Sequence, residues 1–151
     1  MASPFDAARP PSRPPARWDV VLAVFIGGCL GGLARYGITS AWPTPSGRFP
    51  WATLNVNLTG AFVLAIVIVV AAETFSSRYV RPLLGTGVCG AYTTFSSIVV
   101  TTDELFAHDH ASTAIVYVTA SAAGGLAAAW LGLVLARAVV LRGFRGEGNG
   151  R

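Results

Sequence analysis

Between Gly85 and Ser97 the sequence crowds small and hydroxyl-bearing residues together: Gly85, Gly87, Gly90, Ala91, Tyr92, Thr93, Thr94, Phe95, Ser96 and Ser97. Hydroxyls donate hydrogen bonds to an anion, and backbone carbonyls freed from a helix can hold a cation. Asn55 and Asn57 add side-chain amides, and Arg35 adds a guanidinium. The acids Glu73 and Asp103 stand at the edges of the apolar stretches, not within them. A small proton-coupled exporter of cationic drugs needs a carboxylate inside the membrane. An inventory of donors without an acid therefore suits an anion. Each residue also has a plainer reading. Ser and Thr can bond to carbonyls one turn back, the asparagines can glue helices together, Arg35 can snorkel from a helix end, and Phe95 alone would be packing.

These groups need elements to position them, and the composition says which. Of 151 residues, 53% are apolar and only 12% charged, about half the charge of an ordinary soluble domain. Phe49 to Ala72, Pro82 to Thr102 and His110 to Ala136 run without a charged side chain. Each is long enough to cross a bilayer, which takes about 20 apolar residues. A fourth stretch, Val20 to Ala34, reaches spanning length only by continuing past Arg35 into Tyr36, Gly37 and Ile38. Three arginines precede this first stretch, as in a secretory signal peptide. Gly27 with Gly31, and Gly28 with Gly32, form small-xxx-small pairs that favour a retained helix packed closely on another.

The expectation is an all-α membrane protein with four transmembrane helices at about residues 18–40, 52–72, 82–102 and 111–138. The third is centred on Tyr92 and breaks near Gly90 to Thr93, at the bilayer midplane. Residues 1–17, with prolines at 4, 10, 11, 14 and 15, are expected to form a disordered tail, 18–138 the four-helix transmembrane domain and 139–151 a flexible C-terminal tail. Pro43 to Pro50 reads as a turn. Trp42, Trp51 and Tyr79 fall at membrane interfaces. Cys29 and Cys89, without a CxxC or a neighbouring histidine, read as buried packing residues and not as a metal site or a disulfide framework.

The pI near 9.7 invites a nucleic-acid reading. The arginines argue against it, because they flank the spans and form no basic face with interleaved aromatics. Arg9, Arg13, Arg17, Arg78, Arg81, Arg137, Arg142, Arg145 and Arg151 all lie on the side shared by both termini and the second loop. Arg48 stands alone on the opposite side. Arginine-rich short loops stay inside, so both termini are expected in the cytoplasm.

Three segments together resemble the Fluc family of fluoride channels, also called the CrcB family. They are Gly27-Gly28-Cys29-Leu30-Gly31-Gly32-Leu33-Ala34-Arg35-Tyr36, Thr53-Leu54-Asn55-Val56-Asn57-Leu58-Thr59-Gly60-Ala61-Phe62, and Gly87-Val88-Cys89-Gly90-Ala91-Tyr92-Thr93-Thr94-Phe95-Ser96. Any one is a weak signal; all three, in order, on successive spans of so short a chain, are specific. The resemblance implies an antiparallel dimer in the bacterial plasma membrane, with two narrow pores, a central sodium ion and passive fluoride exit. It implies that Asn57 donates to fluoride, Arg35 makes the vestibule electropositive and Phe95 offers its ring edge. Thr94 and Ser96 would lie on or near the polar track, and the carbonyls of Gly90 and Thr93 would hold the sodium. In the fourth span Tyr117 and Ser121 share a face at i, i+4 spacing and are candidates for the same track.

Two positions depart from the family pattern. Ile98 stands where a second phenylalanine is usual, three residues after Phe95, and touches the pore. Ala65 replaces a usual glycine and touches packing. An antiparallel homodimer needs both insertions in similar amounts, yet the arginines fix one. Together with Ile98, that bias favours a heterodimer with an oppositely oriented family member over a homodimer. A non-conducting assembly subunit is the remaining alternative.

Overall fold

The structure, a computed structural model, describes residues 17–73 and 77–148. Its elements are α1 (Trp18–Ala41), α2 (Trp51–Glu73), a π-helix (Arg81–Cys89), α3 (Gly90–Tyr92), α4 (Ser96–Ala107) and α5 (Ala111–Gly148). Four helical segments are long and apolar enough to cross a membrane: Trp18–Ala41, Trp51–Glu73, Arg81–Ala107 and Ala111–Val140. The π-helix, α3 and α4 together make the third span, interrupted between Tyr92 and Ser96. The four-helix expectation and the broken third helix are both met.

Local chemistry sets the ends. Asp19 lies in the first turn of α1, where a carboxylate complements the helix dipole. That helix stops with the Trp42 amide on the Ile38 carbonyl, just before Pro43. Pro50 leads into α2, accepting from the Leu54 amide at 3.1 Å. In the connecting turn Gly47 has φ +74°, a left-handed backbone that glycine adopts freely. At the end of α4 the His110 amide bonds the Leu105 carbonyl and the Asp109 amide bonds the Phe106 carbonyl, with Asp109 at φ 63°. This is the Schellman closure, and it turns the chain directly into α5. From there α5 runs to Gly148, past the end expected near residue 138, since no proline intervenes.

The helices pack mainly as α2 on α5 and α1 on the π-helix, with α4 against α5. Glycine sets the second of these contacts. A Cβ on Gly27 would collide with the Leu83 carbonyl oxygen, and one on Gly31 with the Val88 carbonyl oxygen. Gly28 and Gly32 face open space. One small-residue pair thus builds the protomer and the other is left on its outer surface. Gly31→Val is expected to lower stability by about 1–3 kcal/mol, whereas Gly32→Val leaves the isolated protomer's packing intact; thermal unfolding of the two purified variants in detergent compares them.

Cys89 is buried as expected, but Cys29 is exposed, because it lies on the side of α1 turned away from the Gly27–Gly31 seam. Ala65 is buried against Gly132 of α5, which bears out its packing role. Trp42, Trp51 and Tyr79 are partly exposed near the helix ends. Beside Tyr79, Arg78 pairs with Asp19 of α1 and with the Tyr79 hydroxyl, which itself donates to Asp19 at 2.9 Å. This ties the second loop to the start of α1, so Arg17, Arg78 and Arg81 share one end of the bundle.

Candidate functional site

The interruption of the third span brings polar groups of two helices together. Helical bonding ends at Thr93, whose amide and hydroxyl both donate to the Cys89 carbonyl, at 3.0 and 2.9 Å. Thr93 then turns extended, with φ −76° and ψ 156°. Gly90, a glycine expected to start the break, is still helical at φ −64° and ψ −34°. The break therefore falls at the far edge of the anticipated window. A partner from another helix meets the opened backbone. The Asn57 side chain on α2 donates Nδ2–H to the Thr94 carbonyl at 3.0 Å and accepts the Thr94 amide on Oδ1 at 2.7 Å. A primary amide here satisfies one backbone donor and one acceptor, much as a neighbouring strand would.

The second half of the span restarts on a threonine cap. Thr94 Oγ1 accepts the Ser97 amide at 3.2 Å, donates to the Ser97 hydroxyl at 2.9 Å and lies 3.2 Å from the Ser96 hydroxyl. Phe95 is already helical at φ −85° and ψ −37°, so Thr94 stands in the capping position, bonding the amide three residues on. The α4 ladder begins with the Val99 amide on the Phe95 carbonyl. Thr94 itself is only 7% exposed.

Two opposite ends consequently meet at the break. The preceding half presents carbonyls with negative polarity, and α4 presents amides with positive polarity. In an unbroken helix the Thr94 amide would bond the Gly90 carbonyl, and the Ser97 amide would bond the Thr93 carbonyl. Asn57 takes the first donor and Thr94 Oγ1 takes the second. The carbonyls of Gly90 and Thr93 are thus relieved of their helical partners, and their donor chemistry fits a small hard cation.

Asn57, Thr94, Ser96 and Phe95 are brought together here. The Phe95 ring is 78% exposed on the protomer surface, while Ile98, one turn on, is half-buried. Tyr117 and Ser121 lie on the face of α5 near Thr53 of α2, and among the described residues no hydrogen bond joins them to this cluster. Tyr117 is fully buried, and its ring meets Phe49 edge-on at 5.7 Å. Its hydroxyl and that of Ser121 are buried without a well-formed hydrogen bond among the described residues. Such atoms are costly unless water or a ligand reaches them. Arg35 stands half-exposed on α1, and among the described residues no side-chain hydrogen bond ties its guanidinium to this cluster.

Most other hydroxyls follow the plainer reading: Thr39, Thr102 and Thr119 each bond the carbonyl four residues back. Asn55 likewise bonds the Trp51 carbonyl of its own helix. Two features were missed from the sequence. One is the Thr59–Tyr92 hydroxyl pair at 3.0 Å, which joins α2 to α3. The other is the cap, for which Thr94 and Ser97 carry a legible three-residue spacing.

The profile of CrcB-like proteins, described as camphor resistance (CrcB), matches residues 22–133. The chain belongs to the CrcB family. Among CrcB relatives it is similar to the fluoride-specific ion channel FluC 3 of Streptomyces avermitilis, at 45% identity over 130 residues, which cover 85% of this chain and 64% of that one. With FluC 1 of Streptomyces coelicolor it shares 43% identity, over 80% of this chain and 79% of the relative. With FluC 2 of Streptomyces avermitilis it shares 40%, over 80% of each. This CrcB chain thus spans a little under two thirds of the first relative's length and about four fifths of the other two.

Proposed function

We propose that the chain is a subunit of a fluoride-specific channel that lets fluoride leave the cell passively and so protects against its toxicity. The observation that carries this is the two-ended break in the third span, which sets an amide, hydroxyls and helix-end amides beside an exposed phenyl ring. Fluoride is small and strongly hydrated, so a dry pore must replace its water with several donors. Asn57, Ser96 and the positive edge of the Phe95 ring supply them at the break, with Thr94 holding that group together. Asn57 keeps one Nδ2–H free of its bond to Thr94. The buried hydroxyls of Tyr117 and Ser121 extend the polar track along α5, and Arg35 draws anions to the vestibule. The names of the FluC relatives support the choice of ion.

The Gly90 and Thr93 carbonyls would hold a structural sodium ion between two subunits, supplying positive charge to the dimer centre. The subunits would be antiparallel. With both termini in the cytoplasm of a bacterial plasma membrane, the inside-negative potential drives the anion outward, at about 2.3 kcal/mol per charge per 100 mV. The partner is an oppositely oriented family member. Streptomyces avermitilis has channels numbered 2 and 3, so one organism can hold more than one such subunit.

Orientation is the first test. A reporter fused to the C-terminus is expected to signal from the cytoplasm in nearly every copy, and equal inside and outside signals would contradict the fixed insertion. Fluoride release from liposomes carrying the chain with an inverted family member, with chloride as control, tests the function. Rapid fluoride release without chloride release is expected; equal release of both, or of neither, would refute the channel.

A further inference from the structure

Resting on the sodium reading above, we infer that Asn57 and the Thr94 hydroxyl are positioning residues for the cation: they hold open the carbonyls of Gly90 and Thr93 by occupying the two amides that would otherwise close on them. The bookkeeping of donors is specific. The Thr94 amide goes to Asn57 Oδ1 at 2.7 Å and not to Gly90, and Asn57 Nδ2 anchors the Thr94 carbonyl at 3.0 Å. The Ser97 amide goes to Thr94 Oγ1 at 3.2 Å and not to Thr93. Thr93 is extended at ψ 156°, so its carbonyl points away from the helical direction that would return it to the ladder.

Packing fixes the same backbone from the α2 side. A Cβ on Gly60 would collide with the Thr93 methyl group and stand 3.0 Å from the Tyr92 ring. Tyr92 is tied to Thr59 by its hydroxyl. Thus α2 grips the break at Asn57, Thr59 and Gly60, one turn of helix. A substitution that frees either amide lets the span zip toward a continuous helix, and each carbonyl recaptured in this way is lost to the cation. Asn57 would then serve two ions, fluoride through its spare N–H and sodium through the backbone it holds.

The test reads sodium binding without fluoride. The full chain, purified as a dimer with its inverted family partner in lipid nanodiscs, is melted over a sodium series in which N-methylglucamine keeps ionic strength constant. Wild type is expected to gain stability with sodium. Thr94→Val is expected to raise the sodium concentration for half of that gain about fivefold, the scale of one diverted hydrogen bond. Thr94→Ser keeps the hydroxyl and is expected to stay within about twofold of wild type. Asn57→Ala shifts in the same direction as the valine variant, and Thr94→Ala replaces the valine variant if that does not yield a dimer. Sodium responses unchanged in the variants would overturn the positioning role while leaving the sodium site standing. A wild-type dimer indifferent to sodium would remove the site and the inference together.

Discussion

In the reconstituted dimer, Asn57→Asp is expected to cut fluoride efflux at least about 100-fold. Two like charges about 4 Å apart repel by about 4 kcal/mol at the effective dielectric of a partly buried site. Each 1.36 kcal/mol added to a barrier costs tenfold in rate. An ionised aspartate also has no N–H to offer fluoride, and none for the Thr94 carbonyl that Asn57 now anchors. Its carboxylate can still accept the Thr94 amide, so half of the clasp survives and the fold is expected to persist with a loss of about 1–3 kcal/mol. Electrode-recorded efflux from liposomes, beside a gel-filtration profile of the same preparation, gives the comparison. A correctly folded variant conducting at the wild-type rate would show that Asn57 is helix glue only.

The second large effect concerns partnership. The chain expressed alone is expected to be nearly silent, and efflux per dimer is expected to rise at least about tenfold when it is paired with an inverted family member that has both phenylalanines. The arginine bias expected from the sequence, nine on one side against Arg48 on the other, favours a single insertion. Few chains are then available to lie antiparallel to their own copies. The exposed Phe95 ring lacks an aromatic neighbour one turn on, because Ile98 occupies that place. If each pore takes a ring from both subunits, a self-paired dimer is short of one ring in each. A partner with both rings would then complete the pore that contains Phe95 and leave the other incomplete. Robust efflux from the chain alone, unimproved by a partner, would contradict this.

The four spans were legible because uncharged stretches bounded by arginines and acids can hardly be anything else in water. The break was legible in kind but not in place. Gly90 looks like the weak point from composition, yet it stays helical, and the side chain that bonds the opened backbone at Thr94 is Asn57, 37 positions away. No local pattern encodes a partner on another helix. The same limit explains the glycines of α1: the two pairs look alike in sequence, and only packing against the π-helix separates Gly27 and Gly31 from Gly28 and Gly32. The π-helix itself, Arg81–Cys89, has no distinct sequence signal, since π turns arise where packing favours them. Tyr117 and Ser121 were legible as a shared face. That their hydroxyls are buried without a well-formed hydrogen bond among the described residues is a fact of three dimensions.

The central claim is passive movement of fluoride through this subunit's pore, and ion flux under a clamped voltage tests it most directly. Liposomes carrying the chain with its inverted partner are loaded with fluoride, and a potassium gradient with valinomycin sets the membrane potential. The account predicts that fluoride flux follows that potential in direction and size, that chloride stays behind, and that reversing a pH gradient at fixed potential does not reverse the flow. Fluoride movement that follows the proton gradient instead, or that is absent with every partner tried, would contradict it.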